Sequence, residues 1–157
     1  MSQTAATTLF GPMTPDAVRS AFSYLRAVEA DDADAAAELA AQEPELTQML
    51  LDVAERVIVP VTVLIRDREE EPNASSFALA ELGGVLLDAL YFWQGETGPQ
   101  VTEFLATSII HFIEQILTQE HETVGAVLHH LQDVALGQAL DAHPAPAGSH
   151  SVRLTVV

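Results

Sequence analysis

"PELTQMLLDVAERVIVPVTVLIRDREE", residues 44–70, decides the fold. Its middle, "VIVPVTVLI", is rich in β-branched residues and has the composition of a buried strand. Leu46, Met49, Leu50, Val53, Val57, Val61 and Leu64 nevertheless keep one helical stripe from end to end. That continuity selects a helix and leaves the strand as the competing reading. Pro60 lacks a backbone donor, and its ring clashes with the carbonyl of Arg56, so a kink is expected there. Val59 and Val63 fall on the opposite, polar arc with Asp52, Glu55 and Arg66. An apolar pair on that arc implies burial on a second side, either under another helix or against another subunit.

The flanking segments read as helices too. Thr14, Pro15 and Asp16 form a start signal for a helix whose inner stripe is Val18, Ala21, Phe22, Leu25 and Val28. Asp31, Asp32 and Asp34 open a short Ala-rich helix that ends before Pro44, because carboxylates favour free N–H groups at a helix start. Pro44 opens the third helix. The fourth starts at Asn73 or Ser75, ends near Gly95, and carries Leu79, Leu82, Leu86, Leu90 and Trp93 on one stripe with Gly83. Glycine there costs about 1 kcal/mol against alanine, and close approach of a neighbouring helix would offset it. Pro99 opens a fifth helix whose apolar residues cover most of its circumference, as expected of a helix central in its bundle or shared with another chain. The sixth carries Val124, Val127, Leu128, Leu131 and Ala135 inward. Between the last two no strong breaker stands, so one long bent helix is possible. The expected organisation is a flexible arm (1–13), an all-α bundle of five or six helices (14–142), and a linker with a flexible C-terminal tail (143–157).

Composition narrows the function classes. The 157 residues are 48% hydrophobic yet carry a net charge of −17. A disordered acidic chain would be poor in apolar residues, so a sizeable core beneath an acidic surface is expected. No cysteine is present, which removes disulfides, thiol catalysis and cysteine zinc sites. Lysine is also absent, and the positive side chains are six arginines. Phosphate backbones and anionic membranes are bound by clustered cations, so neither is an expected partner. With no secretory signal pattern and no apolar run of spanning length, a cytoplasmic location is expected. A basic or apolar protein surface is the partner chemistry that fits.

The segment 108–133 gathers four of the six histidines beside four acids. Neither Glu-x-x-His nor His-x-x-x-His occurs in the chain, so the helical di-iron and paired-histidine zinc signatures are missing. His111 with Glu114, and His129 or His130 with Asp133, are the remaining metal-ligand candidates. Helical angles place His111 on a polar arc with Glu103, Thr107, Glu114 and Gln115, and place His129 opposite the Leu128 stripe. These read as solvated side chains, with His121 at the bend between two helices. The chain has no G-x-S-x-G elbow, phosphate loop or dinucleotide turn, so no cofactor and no catalytic residue are assigned. Glu81 and Asp88 share one helix face but lie roughly 10 Å apart along the axis at 1.5 Å per residue, too far for a retaining glycosidase pair.

The expected function is therefore non-enzymatic: a protein-binding or regulatory helical module acting through an apolar groove or a homodimer surface on the third and fifth helices. Its candidate interface residues are Val59 and Val63, with the aromatic group Phe77, Tyr91, Phe92 and Trp93, a composition enriched in interface cores. Burial among several helices of one chain is the structural alternative for the same residues. Two other functions compete. Residues 29–71 hold thirteen acids against three arginines, which suits an acidic inhibitor imitating nucleic acid. The histidine segment suits a metal-dependent bundle enzyme.

Overall fold

The computed structural model describes residues 13–62, 74–95 and 100–144. Every regular element among them is helical, and no strand passes through Pro60. The order is α1 (Pro15–Glu29), α2 (Ala33–Gln42), α3 (Leu46–Val53), α4 (Ala74–Gln94), α5 (Gln100–Phe112) and α6 (Val124–Ala142). A π-turn, Ala54–Ile58, continues α3 into helical residues 59–62, and a second, Ile113–Leu117, continues α5. Val63, and the arm and tail read from the sequence apart from Met13, His143 and Pro144, lie outside the described residues. Met13 is buried against the core.

The irregularity expected at Pro60 takes the form of the π-turn just ahead of it. Val59 donates its N–H to the carbonyl of Ala54, five residues back. The widened turn falls where the proline ring would otherwise press on the preceding carbonyls. One residue of excess moves the inward stripe along by one. Ile58 and Thr62 are fully buried, while Val61, expected inside, is half-buried. Thr62 satisfies its hydroxyl in place by donating to the carbonyl of Val59 at 2.6 Å.

Helix α1 is the hub of the bundle and packs against α2, α3, α5 and α6. The sequence reading made α5 either central or shared with another chain; it packs on α1, α3 and α4. The difference arises because α1 buries a wider arc than its aliphatic stripe suggested. Tyr24 and Ala27 are buried beside Val18, Ala21, Phe22 and Leu25. Thr14 caps α1 as expected, its Oγ1 accepting from Ala17 N–H at 3.2 Å.

The three aspartates after α1 divide into separate jobs. Asp32 is the N-cap of α2, accepting from Ala35 N–H at 3.1 Å, and Asp34 lies in its first turn. Asp31 instead terminates α1. It adopts a left-handed backbone (φ 58°), its N–H bonds to the carbonyl of Val28, and the next N–H, from Asp32, bonds to that of Ala27. This is a Schellman closure with aspartate in the position usually held by glycine.

Helices α5 and α6 are separate. The π-turn after α5 ends at Thr118, whose backbone is extended and whose N–H and hydroxyl both reach the carbonyl of Ile113. Thr123 then caps α6, accepting from Ala126 N–H at 3.1 Å. Two threonines thus make a break where the sequence reading saw no strong breaker and left one long bent helix open.

Candidate partner-binding groove

Helix α4 is apolar nearly all the way round, a pattern ordinarily found in helices covered on every side. Among the described residues it is covered on one side, by α3 and α5. Leu86 and Leu90 face inward and join the core. Gly83 is buried where α4 crosses α3. A Cβ there would lie 3.1 Å from Thr62 Oγ1 and 3.6 Å from a Val59 methyl. The close helix approach expected at Gly83 is thus made, and its partner is α3.

The opposite side of α4 carries a second apolar stripe: Ala78, Leu82, Val85, Ala89 and Phe92, all exposed. Val85 is 62% and Phe92 69% accessible. The spacing is four, three, four, three, the seam of a helix that packs along another helix. Beside this stripe runs a groove of about 440 Å³ between α4 and α5. Leu82, Val85, Leu86 and Ala89 form one wall, and Phe104, Ser108, Phe112 and Ile116 the other. Its polar contributions are Thr107, Ser108, His111 and Gln115, all from α5. At one end the Trp93 and Phe104 rings lie 4.5 Å apart, centre to centre, and Phe92 meets Trp93 edge to face at 5.8 Å.

Charge frames the groove. Exposed Glu81 and Asp88 follow the α4 stripe on its outer side, and Glu114 lies exposed on the far side of α5. The sequence has no arginine or lysine from residue 69 to residue 152, so no cation of the groove's own helices offsets these carboxylates.

The sequence-derived site residues are distributed as follows. Val59 is half-buried and faces Gly83 of α4, so a helix of the same chain covers it. Phe77 lies in the first turn of α4, and its side chain lies outside the described residues. Tyr91 points to the α3 side, where its hydroxyl donates to Glu55 Oε2 at 2.7 Å. That bond, then partial burial and the charges of Glu55 and Asp52, hold the phenol above its ordinary pKa. Phe92 and Trp93 stand at the groove end. Leu82, assigned inward from the sequence, is instead an exposed wall of the groove. Sequence reasoning missed Val85, Ala89 and Phe104. The signal was present in the repeat of apolar residues on α4 and in the unusually wide apolar arc of α5.

The histidines are on the surface. His111, His121, His129 and His130 are all exposed. His111 lines the groove, while His129 Nε2 lies 3.6 Å from Asp133 Oδ2 on α6. His111 and Glu114 are not brought together with His129 or His130: among the described residues no three His, Asp or Glu side chains converge as metal ligands. Several acids of the 29–71 stretch have local partners: Glu43 accepts from Ser20, Asp52 from Gln48, and Glu55 from Tyr91. No helix among the described residues is long and apolar enough to cross a membrane. Compared with protein-family models, curated proteins and solved structures, the chain matches none of them.

Proposed function

We propose that this chain is a protein-binding or regulatory module whose α4–α5 groove takes up an amphipathic helix of a partner, with apolar residues toward the groove and basic residues along its flanks. The observation that carries this reading is the continuous exposed stripe Leu82, Val85, Ala89 and Phe92 along an open apolar groove. Helix-in-groove recognition uses anchors at this spacing. The basic flanks follow from Glu81, Asp88 and Glu114, which present negative charge on both sides and meet no arginine or lysine between residues 69 and 152. Complementary charge would steer the encounter and fix the register of the bound helix.

The test uses two designed helical peptides with the same leucine stripe, one flanked by arginines and one by glutamates, with binding followed by fluorescence anisotropy. The arginine peptide should bind at least tenfold more tightly, with the advantage shrinking as salt rises. Val85→Asp, at an exposed position, should abolish binding while leaving the helical circular dichroism intact. Equal binding of the two peptides, or binding indifferent to Val85→Asp, refutes the reading. A second copy of the chain is the other occupant, and the seam spacing favours it. The −17 charge on each copy, with Asp88 and Glu81 brought against their own equivalents, opposes it. A doubled mass in solution that Val85→Asp halves would replace the partner helix by a homodimer.

A further inference from the structure

Among the residues lining the α4–α5 groove, His111 is the one acidic or basic side chain. It stands midway along the α5 wall, which runs from Phe104 to Ile116. The two hydroxyls one turn before it are turned back onto their own helix. Thr107 Oγ1 donates to the Glu103 carbonyl at 2.8 Å, and Ser108 Oγ to that of Phe104 at 2.9 Å. Gln115, one turn after it, is a neutral amide. The facing wall, Leu82, Val85, Leu86 and Ala89, carries no hydrogen-bonding side chain.

The fixed charges around His111 are carboxylates. On its own helix Glu103 lies two turns back, and Glu114 follows one turn on. On α4, Glu81 and Asp88 are exposed along the outer flank of the stripe. Glu120 and Glu122, with His121 between them, are exposed in the connection to α6. Helices α1 and α3 meet the other face of α5, at buried Leu105 and Ile109. Carboxylates ordinarily titrate near pH 4, whereas imidazole is the side chain that ordinarily changes charge between about pH 5 and pH 8. Mild acidification therefore alters the lining of the groove at His111 while leaving its rim anionic.

We propose that His111 gates the groove by pH, a regulation that rests on the reading of the groove as a helix-binding site: a basic-flanked helix is held while the imidazole is neutral and released when it is protonated. Two effects act in the same direction. An apolar helix laid over the groove takes the imidazolium out of water, which is costly for a charge without a partner. The basic flanks of that helix also engage Glu81, Asp88 and Glu114, the carboxylates that would otherwise offset the imidazolium, and repel it directly. The neutral ring meets neither cost. Reciprocally, whatever affinity the helix loses on protonation of His111, the imidazole loses for its proton on binding. Affinity is thus complete above the imidazole range and falls as pH drops through it.

The arginine-flanked leucine peptide, labelled with a pH-insensitive rhodamine and followed by anisotropy at fixed ionic strength, tests the gate. The full chain should bind it at least fivefold more weakly at about pH 5.5 than at about pH 7.5, the two sides of the imidazole range. In His111→Gln, which carries no charge at either pH, the two affinities should differ by no more than about twofold, since neutral glutamine leaves nothing in the groove to titrate. His121→Gln and His129→Gln, exposed and outside the groove lining, should keep the fivefold loss. That comparison separates His111 from the general fall in negative charge as the other histidines protonate. Equal affinity at the two pH values in the parent chain, or a loss that persists in His111→Gln, overturns the gate and leaves the helix-binding groove standing. A peptide that binds at neither pH overturns both.

Discussion

Gly83 and Gly84 are neighbours on α4 with opposite surroundings, and alanine at each should have opposite consequences. At Gly84 an added Cβ meets nothing within 4 Å. Gly84→Ala should therefore realise the full helix-propensity gain, about 1 kcal/mol. For a chain of this length that raises Tm by roughly 2–4 °C. At Gly83 the same Cβ would lie 3.1 Å from Thr62 Oγ1, closer than ordinary van der Waals contact. Thr62 cannot swing aside easily, since it is fully buried and hydrogen-bonded to the Val59 carbonyl. Overpacking of this kind costs about 1–3 kcal/mol, which cancels or outweighs the propensity gain. The Gly83→Ala protein should thus be about 1–3 kcal/mol less stable than Gly84→Ala, measured by urea unfolding followed at 222 nm. A double-mutant cycle locates the cause. In a Thr62→Ala background, where Oγ1 is gone, Gly83→Ala should become stabilising by about 1 kcal/mol. If both alanine variants are equally stabilised in the parent chain, α4 does not cross α3 at Thr62, and the groove on its other side loses its frame.

Three further outcomes follow from local geometry. Asp31→Gly relieves an L-residue at φ 58°, and should stabilise the fold by about 0.5–1 kcal/mol in the same unfolding assay. Thr123→Ala removes the cap of α6 and should cost about 1 kcal/mol, whereas alanine at the neighbouring exposed His121 should change stability by less than half of that. Tyr91 has a folded pKa raised above 10.0, chiefly through its bond to Glu55. The folded state holds that proton more tightly than the unfolded one, so the contribution is complete below pH 10 and is lost as pH climbs through the folded value. Tyr91→Phe should flatten this part of the alkaline unfolding profile, and a profile identical to the parent's would refute the Tyr91–Glu55 link.

The all-α architecture was legible because apolar spacing outweighs β-branched composition: residues 46–62 form helix despite their valines and isoleucines. The caps at Thr14 and Asp32 and the contact at Gly83 were legible for local reasons, namely side-chain oxygens next to free N–H groups and a missing Cβ on a packed face. The break after α5 was not, since it depends on Thr118 turning back on Ile113, and threonine is no breaker by composition. The groove was half legible. Aromatic density at Tyr91–Trp93 pointed to the right helix, but one helical wheel cannot say which of two apolar stripes a neighbour covers. That choice is made by α3 and α5 together, through Leu86 and Leu90 on one side of α4, while Val85 on the other meets no helix among the described residues. Tyr24 was passed over because a phenol reads as tolerant of either environment.

The π-turn ahead of Pro60 sets the rotational phase of all that follows it in α3. Each residue advances an α-helix by roughly 100°, so the surplus residue in Ala54–Ile58 turns the downstream segment by about that angle. Excising one residue from the stretch 54–57 would close this turn to an ordinary α-turn, and Ile58 and Thr62 would still face inward. Insertions and deletions are usually absorbed by loops. In this protein the widened turn in the middle of a helix would absorb a one-residue deletion, whereas the same deletion in the regular part of α3 would turn every later residue by about 100°.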